Sequence, residues 1–167
     1  LNIITCVLIF FGGIGFLVIQ ELWQKKCQWK KLSMHTKVVL SVSLALIIIG
    51  TLLIKLTEPI SWLCALFHSV STRTAGFASR PIGDFGAPAL LVMIVLMFIG
   101  ASSGSTGGGI KTSTFFVLIR GIFSAATNQS EKAFHYSIPK DAFKKAAVIS
   151  ILAAGVVITS TYILMIL

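Results

Sequence analysis

The chain has 167 residues, of which 56% are hydrophobic and 11% are charged, and its mean hydropathy is +0.95. A soluble domain cannot cover so much apolar surface with so few charges, so the composition excludes a soluble globular protein and predicts an integral membrane protein. The formal net charge is +9, but Lys and Arg cluster at the ends of apolar runs. That pattern is typical of cytoplasmic membrane loops, so we expect lipid, and no nucleic acid, as a partner.

Residues 1–24 are the first predicted element, a membrane helix, because their apolar run of about 20 residues can cross the hydrocarbon core. Gly12, Gly13 and Gly15 lie inside it, and small residues in a membrane helix indicate close contact with another helix or a break. Residues 25–37 hold five lysines and no acidic residue, which predicts a cytoplasmic loop. The chain begins and ends inside apolar runs, so we expect it to be a fragment of a longer protein.

Residues 38–126 are predicted to form one complete pore repeat. Its predicted parts are an outer helix at 38–56, a pore helix at 59–71, a filter loop at 72–80 and a broken inner helix at 87–126. Glu58 and Pro59 suit the start of the pore helix, where an acid and a proline are both favoured. The apolar part of the pore helix has about 11 residues and spans roughly 16 Å, half a membrane, which predicts a re-entrant helix.

Residues 100–114 interrupt the inner helix with a stretch that is nearly all Gly, Ser and Thr. Because glycine is unfavourable in helices, we predict an intramembrane loop here, between two helical halves. A cytoplasmic loop at 127–141 follows, and then a membrane helix at 142–167 that is the first helix of the next repeat, as 1–24 is the last helix of the preceding one. Ten Lys and Arg residues fall in the predicted inside loops and three fall outside, which sets the orientation. The predicted fold class is all-α integral membrane, with the helix–pore helix–filter loop–helix repeat of potassium channels.

The predicted filter loop puts polar, irregular backbone at membrane depth, which is tolerated only inside protein or beside a water-filled cavity. We predict that the carbonyl oxygens of Thr74, Ala75, Gly76 and Phe77 replace the water shell of a cation. Gly76 suits a position that needs a positive φ and no Cβ in the pore. Arg73 is predicted to support the filter from behind by binding carbonyls or an acid. The alternative for this segment is an ordinary extracellular turn.

Two stretches of the chain resemble the Trk/Ktr/HKT superfamily of potassium transporters, and most of all its KtrB-type membrane subunits: SVSTRTAGF at 69–77 and MFIGASSGSTGGGIKTSTF at 97–115. Members of this family fold four successive repeats around one pore. The resemblance covers under half of such a protein, from the last helix of the second repeat to the first helix of the fourth. This chain departs from the family pattern at Ala78, where Asn is common, and at Ser103, where Pro is common.

The resemblance implies potassium uptake through the carbonyl-lined filter, by a multi-pass protein of the inner or plasma membrane of the cell that needs no cofactor. It also implies a homodimer, a cytoplasmic nucleotide-binding regulatory subunit of the RCK type, and sodium as an activator. The intramembrane loop would then be the gate below the filter. The gating residues implied are Gly100, Ser102, Ser103, Gly104, Ser105, Thr106, Gly107, Gly108, Gly109 and Lys111.

Lys111 is the only full charge in the intramembrane loop, and a charge at membrane depth is a functional hypothesis by default. One interpretation is an electrostatic barrier below the filter that moves when the pore opens. The other is a side chain that reaches toward the cytoplasm and fixes the helix end. The sequence leaves both open.

A nucleotide-binding enzyme is a competing interpretation, because the sequence at 104–112 is similar to a phosphate loop. However, Ile110 separates the last glycine from the lysine, and no strand precedes the motif. A less selective sodium/potassium channel of the same superfamily and a purely structural membrane module are further alternatives. His68 and His135 have no partner at metal-ligand spacing, and we predict core or surface roles for them. We find no pattern for an enzyme, or for a metal site other than one for K⁺.

Overall fold

The computed structural model describes residues 2–26, 28–73, 75–127, 132–133, 136–137 and 140–166. Within that part the chain is helical, and its helices are α1 (Asn2–Ile14), α2 (Phe16–Gln24), α3 (Met34–Thr57), α4 (Trp62–Ser71), α5 (Ala87–Phe98), α6 (Thr112–Thr127) and α7 (Lys140–Ile166). Two strands of two residues each, β1 (Lys132–Ala133) and β2 (Tyr136–Ser137), pair antiparallel. The prediction of an all-α membrane fold is confirmed. The chain divides into two compact units, Leu1–Ser113 and Thr114–Leu167.

The prediction of a single helix over residues 1–24 is wrong, because this segment consists of two helices. Helices α1 and α2 meet at Gly15 and are bent by 91°. Gly15 has φ +88°, a conformation that glycine adopts without steric cost and that other residues rarely adopt. The sequence predicted that these glycines mark either a close contact with another helix or a break in the helix. The structure has a break at Gly15.

The outer helix α3 begins at Met34 and not at the predicted residue 38, because a polar cap precedes it. The Ser33 hydroxyl accepts a hydrogen bond from the Thr36 backbone N–H at 3.3 Å. The Glu21 carboxylate of α2 accepts from the Ser33 N–H at 2.8 Å, from the Ser33 hydroxyl at 2.6 Å and from the Thr36 hydroxyl. A carboxylate is favourable at the positive end of a helix. Glu21 therefore joins α2 to the start of α3.

The pore helix α4 begins at Trp62, three residues after the predicted start at 59. Ser61 is its N-cap, and the Ser61 hydroxyl accepts a hydrogen bond from the Cys64 backbone N–H at 3.3 Å. The predicted role of Glu58 at this helix is wrong. Its carboxylate accepts the Gly86 N–H at 2.6 Å, so Glu58 stabilises the start of α5 instead.

Helix α4 packs against α1, α3 and α5, and this packing buries the end of the pore helix. Phe67 and Val70 of α4 share a buried cluster with Cys6 of α1 and Ile47 of α3. The hydroxyl of Ser69, itself fully buried, donates to the Ile47 carbonyl at 3.0 Å. The filter loop therefore starts from a fixed point in the core of the first unit.

The inner helix is broken as predicted, but the break is shorter. Helix α5 ends at Phe98 and α6 begins at Thr112, so irregular backbone covers residues 99–111 and not 100–114. The Ser and Thr residues at 112–114 were predicted as part of the loop because of their composition. They are nevertheless accepted in the first turn of a helix, where polar side chains meet free N–H groups.

The second unit contains most of α6, the β1–β2 pair and α7. Within it, Gly121 lies against the ring of Phe143, and a Cβ on Gly121 would be 2.0 Å from Cδ2 of that ring. The predicted cytoplasmic loop at 127–141 contains β1 and β2, and α7 begins at Lys140 where residue 142 was predicted. Helices α3 and α7 are long and apolar enough to cross a membrane, and α1 with α2 would be a third crossing if the bent pair is one span.

Candidate functional site

The chain turns after α4, and we call the segment with Ala75, Gly76 and Phe77 the filter turn. Ser71, the last residue of α4, makes the hydrogen bonds that stabilise it. The Ser71 carbonyl accepts the N–H groups of Ala75 at 3.0 Å and Gly76 at 3.2 Å. The Ser71 hydroxyl donates to the carbonyl of Phe77. The predicted filter residues Ala75, Gly76 and Phe77 are thus fastened to the end of the pore helix, whereas Thr74 lies outside the described residues.

Gly76 has φ +78°, the positive value that the sequence analysis expected at this position. A Cβ built on Gly76 would meet nothing within 4 Å. The backbone conformation, and not a lack of space, is therefore what favours glycine here.

The guanidinium of Arg73 binds backbone oxygens next to the filter turn. It donates to the Ser43 carbonyl and the Ser43 hydroxyl of α3, both at 3.4 Å, and to the Gly100 carbonyl at 3.1 Å. A partly buried cation needs such partners, because burial removes part of its water. Arg73 therefore connects the filter turn to the outer helix and to Gly100, near the start of the intramembrane loop.

The segment after the filter turn is tied back to the pore helix through His68. The hydroxyl of Ser79 lies 3.3 Å from Nε2 of His68, and the Phe85 ring centroid lies 4.8 Å from that of His68. His68 is 1% exposed. It therefore occupies a core position, which agrees with the core or surface role predicted for it, while His135 lies outside the described residues.

The two ends of the intramembrane loop, residues 98–100 and 108–110, are in contact, and we call this contact the neck of the loop. Glycines allow the two backbone segments to come this close. The Ile110 N–H donates to the Phe98 carbonyl at 2.9 Å. A Cβ on Gly100 would lie 1.6 Å from the Gly108 carbonyl oxygen. Gly109 has φ +73°, and its Cβ would lie 2.9 Å from the Phe98 carbonyl oxygen. Side chains at Gly100 and Gly109 are thus excluded by neighbouring backbone.

The same loop fills the break between α1 and α2. The Ser102 N–H donates to the Gly13 carbonyl at 3.0 Å, and the Phe16 N–H donates to the Gly104 carbonyl at 3.2 Å. A Cβ on Gly15 would lie 2.7 Å from the Ser103 carbonyl oxygen. Backbone groups without helical partners at membrane depth need other hydrogen-bond partners. Here the loop supplies partners for the backbone of the helix break, and the helix break supplies partners for the backbone of the loop. The glycines of residues 1–24 stand out in the sequence, but their pairing with the loop could not be predicted from it.

Lys111 makes a contact that neither interpretation of its charge named. Its ammonium group donates to the Gly107 carbonyl at 2.8 Å, inside the intramembrane loop. Ser102, which is fully buried, accepts the Ser105 hydroxyl at its carbonyl, at 2.6 Å. The loop is thus held by its own short contacts as well as by the helix break.

A cavity of about 350 Å³ lies between the filter turn and the intramembrane loop. It has space for several water molecules, each of which takes about 30 Å³ in the liquid. The residues that line it are Ala75 and Phe77 of the filter turn, Ala101, Thr106 and Gly107 of the loop, Leu8, Ile9, Gly12 and Gly13 of α1, and Arg73. Two predicted filter residues and two predicted gating residues therefore face one space.

The other predicted site residues in the described part do not line this cavity. Gly76 has no neighbour within 4 Å of its Cβ position, and Gly100, Gly108 and Gly109 form the neck of the loop. Lys111 is engaged with the loop backbone. The cavity is therefore bordered by backbone of the filter turn on one side, by the intramembrane loop on another and by α1.

A family model described as TrkH, cation transport protein, matches residues 1–167 of this chain. The chain belongs to the TrkH family. Ktr system potassium uptake protein B of Vibrio alginolyticus is 37% identical over 95% of the chain. Potassium/sodium uptake protein NtpJ of Enterococcus hirae is 35% identical over 71% of it.

The fold is also that of a solved TrkH-family structure. The crystal structure of the potassium transporter TrkH from Vibrio parahaemolyticus matches 86% of the chain with a TM-score of 0.65 and 22% sequence identity. The chain spans 38% of the Vibrio alginolyticus relative, 29% of the Enterococcus hirae relative and 35% of this structure. Membership of the TrkH family, together with the apolar helices, confirms the prediction of a multi-pass protein of the cell membrane.

Proposed function

We propose that this chain takes part in potassium uptake across the cell membrane and forms part of the ion pathway. The observation that carries the proposal is the cavity that lies between the filter turn and the intramembrane loop. Membership of a family of cation transport proteins supports it, as does the 37% identity to a relative named for potassium uptake.

In this proposal the carbonyls of Thr74, Ala75, Gly76 and Phe77 coordinate K⁺. Carbonyls are dipoles and not full charges, so they can replace water around the ion and still release it. Helix α4 ends at Ser71, directly before the filter. The C-terminal end of a helix carries a partial charge of about −0.5, which favours a cation. The positive charge of Arg73 is directed at the Ser43 and Gly100 carbonyls.

The intramembrane loop is proposed as the gate. Its two hydrogen bonds to the helix break, at Gly13 and Phe16, would contribute about 2 kcal/mol together, since one net hydrogen bond is worth about 1 kcal/mol. A free energy of this size is small enough for the loop to move and large enough to keep the loop at the helix break most of the time. The contact of Lys111 with Gly107 would move with the loop.

The assembly around the pore is also a proposal. We expect a homodimer and a cytoplasmic nucleotide-binding regulatory subunit of the RCK type, with sodium as an activator. The relative from Vibrio alginolyticus carries the name of a Ktr system, which supports a membrane component that works with other subunits. Co-purification of the full-length protein from its own cells would identify such a subunit.

A less selective sodium/potassium pathway is the second candidate function. It is favoured by the relative from Enterococcus hirae, whose name includes both ions. The two candidates differ in one measurable quantity, the ratio of K⁺ to Na⁺ uptake by the full-length protein. A high ratio supports the first candidate, and a ratio near one supports the second.

Replacing Gly76 by serine tests the proposed filter. A side chain in this left-handed conformation costs about 1–2 kcal/mol, so we expect the backbone to relax and the neighbouring carbonyls to move. In an uptake-deficient bacterium that expresses the full-length gene and its regulatory subunit, the wild type should restore growth at low potassium. Gly76→Ser should lose that rescue at equal protein amount in the membrane.

Gly83→Ser is the matched control for this variant. A Cβ on Gly83 also meets nothing within 4 Å, but its φ is not positive and it lies outside the filter turn. Rescue should therefore be kept. Absence of rescue by the wild type, despite good expression, would contradict potassium uptake, and unchanged K⁺ over Na⁺ selectivity in Gly76→Ser would remove Gly76 from the filter.

A further inference from the structure

We propose that Ser71 is a specificity-determining residue that sets the shape of the filter and hence its preference for K⁺ over Na⁺. The inference rests on the proposed function and adds a residue that the predicted filter did not include. Ser71 is the last residue of α4 and is 1% exposed. It is buried behind the filter turn, where it acts on the ion only through the residues that it positions.

Ser71 makes three hydrogen bonds to three successive residues of the filter turn. Its carbonyl accepts from the Ala75 and Gly76 N–H groups, and its hydroxyl donates to the Phe77 carbonyl. The last carbonyls of a helix have no partner inside the helix, so the Ser71 carbonyl is free to hold the turn. Any residue supplies that carbonyl, whereas the bond to Phe77 requires the hydroxyl.

The neighbouring hydroxyls of α4 are engaged elsewhere, which singles out Ser71. The Thr72 hydroxyl donates to the His68 carbonyl at 2.7 Å, within the helix. The Ser69 hydroxyl donates to the Ile47 carbonyl of α3 at 3.0 Å. Among these three side chains only Ser71 reaches the filter turn.

The bond from Ser71 to Phe77 bears on selectivity because it fixes the direction of a filter carbonyl. A carbonyl oxygen has two lone pairs, so the Phe77 oxygen can accept the Ser71 hydroxyl and still face a cation. Selectivity between K⁺ and Na⁺ depends on the size of the site, or on the number and strength of its carbonyl dipoles. A carbonyl that is free to turn lets the site contract around the smaller ion, or turns its dipole away from the ion, and we expect either change to lower discrimination.

Ser71→Ala is the test, with Ser69→Ala as its matched control. Both variants remove one buried serine hydroxyl from the same helix, but only the first removes a bond to the filter. In the full-length protein with its regulatory subunit, uptake of K⁺ and Na⁺ is measured at equal protein amount in the membrane. We expect Ser71→Ala to lower the K⁺/Na⁺ uptake ratio by about threefold to tenfold, the range that one net hydrogen bond allows. Ser69→Ala should keep the wild-type ratio.

A third variant keeps the test decisive if Ser71→Ala does not reach the membrane. Ser71→Cys has nearly the same size and a weaker donor, so it should insert and give an intermediate ratio. A wild-type ratio in Ser71→Ala or Ser71→Cys would overturn the inference, and so would an equal loss in Ser69→Ala. If the wild type itself takes up no K⁺, the proposed function fails, which is distinct from wild-type uptake with an unaltered ratio in the variants.

Discussion

Replacing Gly100 by alanine is expected to open the neck of the intramembrane loop and to raise potassium flux through the unstimulated protein. The added Cβ would lie 1.6 Å from the Gly108 carbonyl oxygen, and backbone on both sides leaves no flexible side chain to move away. Loss of the neck hydrogen bond from the Ile110 N–H to the Phe98 carbonyl, about 1 kcal/mol, would shift the balance between closed and open loop roughly fivefold. Potassium efflux from proteoliposomes that hold the full-length protein without its regulatory subunit measures this directly.

Gly108→Ala is the control for Gly100→Ala, because it changes the same loop without a clash. A Cβ on Gly108 meets nothing within 4 Å, and its φ is not positive. We expect wild-type flux from this variant. Equal flux from Gly100→Ala and the wild type, at equal reconstituted amount, would show that the neck does not control the pathway.

Replacing Gly15 by alanine is expected to release the intramembrane loop from the other side. The substitution meets two obstacles, a φ of +88° and a Cβ only 2.7 Å from the Ser103 carbonyl oxygen. The left-handed conformation alone costs about 1–2 kcal/mol, and relief of the clash separates the helix break from the loop. We expect faster hydrogen exchange of the Phe16 and Ser102 amides, which donate across this contact, and a higher basal flux.

Gly12→Ala offers a matched comparison in the same glycine cluster. Its nearest neighbour would be the Thr106 hydroxyl oxygen at 3.6 Å, an ordinary contact, and its φ is not positive. Alanine should strengthen α1 there by about 0.5–1 kcal/mol. If Gly15→Ala leaves the exchange of the Ser102 amide at the wild-type rate, the loop is not held by the helix break.

Features that depend on neighbouring residues could be predicted from the sequence. The all-α membrane class follows from the apolar content, and the break of the inner helix follows from the glycine density at 100–109. The positive φ of Gly76 follows from the need for glycine at a tight, side-chain-free turn. Each of these features is set by composition or local conformation within a short stretch.

Contacts between distant segments could not be predicted in the same way. The Glu21 carboxylate meets α3, and the Glu58 carboxylate meets Gly86 at the start of α5. Packing decides which helix start each of these acids meets. The preference of acids for the nearest helix start therefore assigned Glu58 to α4, whereas its carboxylate contacts the start of α5. The fit of Gly15 against Ser103 is of the same kind.

The most direct test of the proposed pathway is a cysteine at Thr106, which lines the cavity below the filter turn. Full-length Thr106→Cys, in a background without other cysteines, is reconstituted, and potassium flux is measured before and after a small cationic thiol reagent. Thr57→Cys is the control, since Thr57 is exposed at the end of α3 and does not line the cavity. We expect the reagent to block flux through Thr106→Cys and to leave Thr57→Cys unchanged. Fully labelled Thr106→Cys that conducts at its unlabelled rate would contradict an ion pathway between the filter and the intramembrane loop.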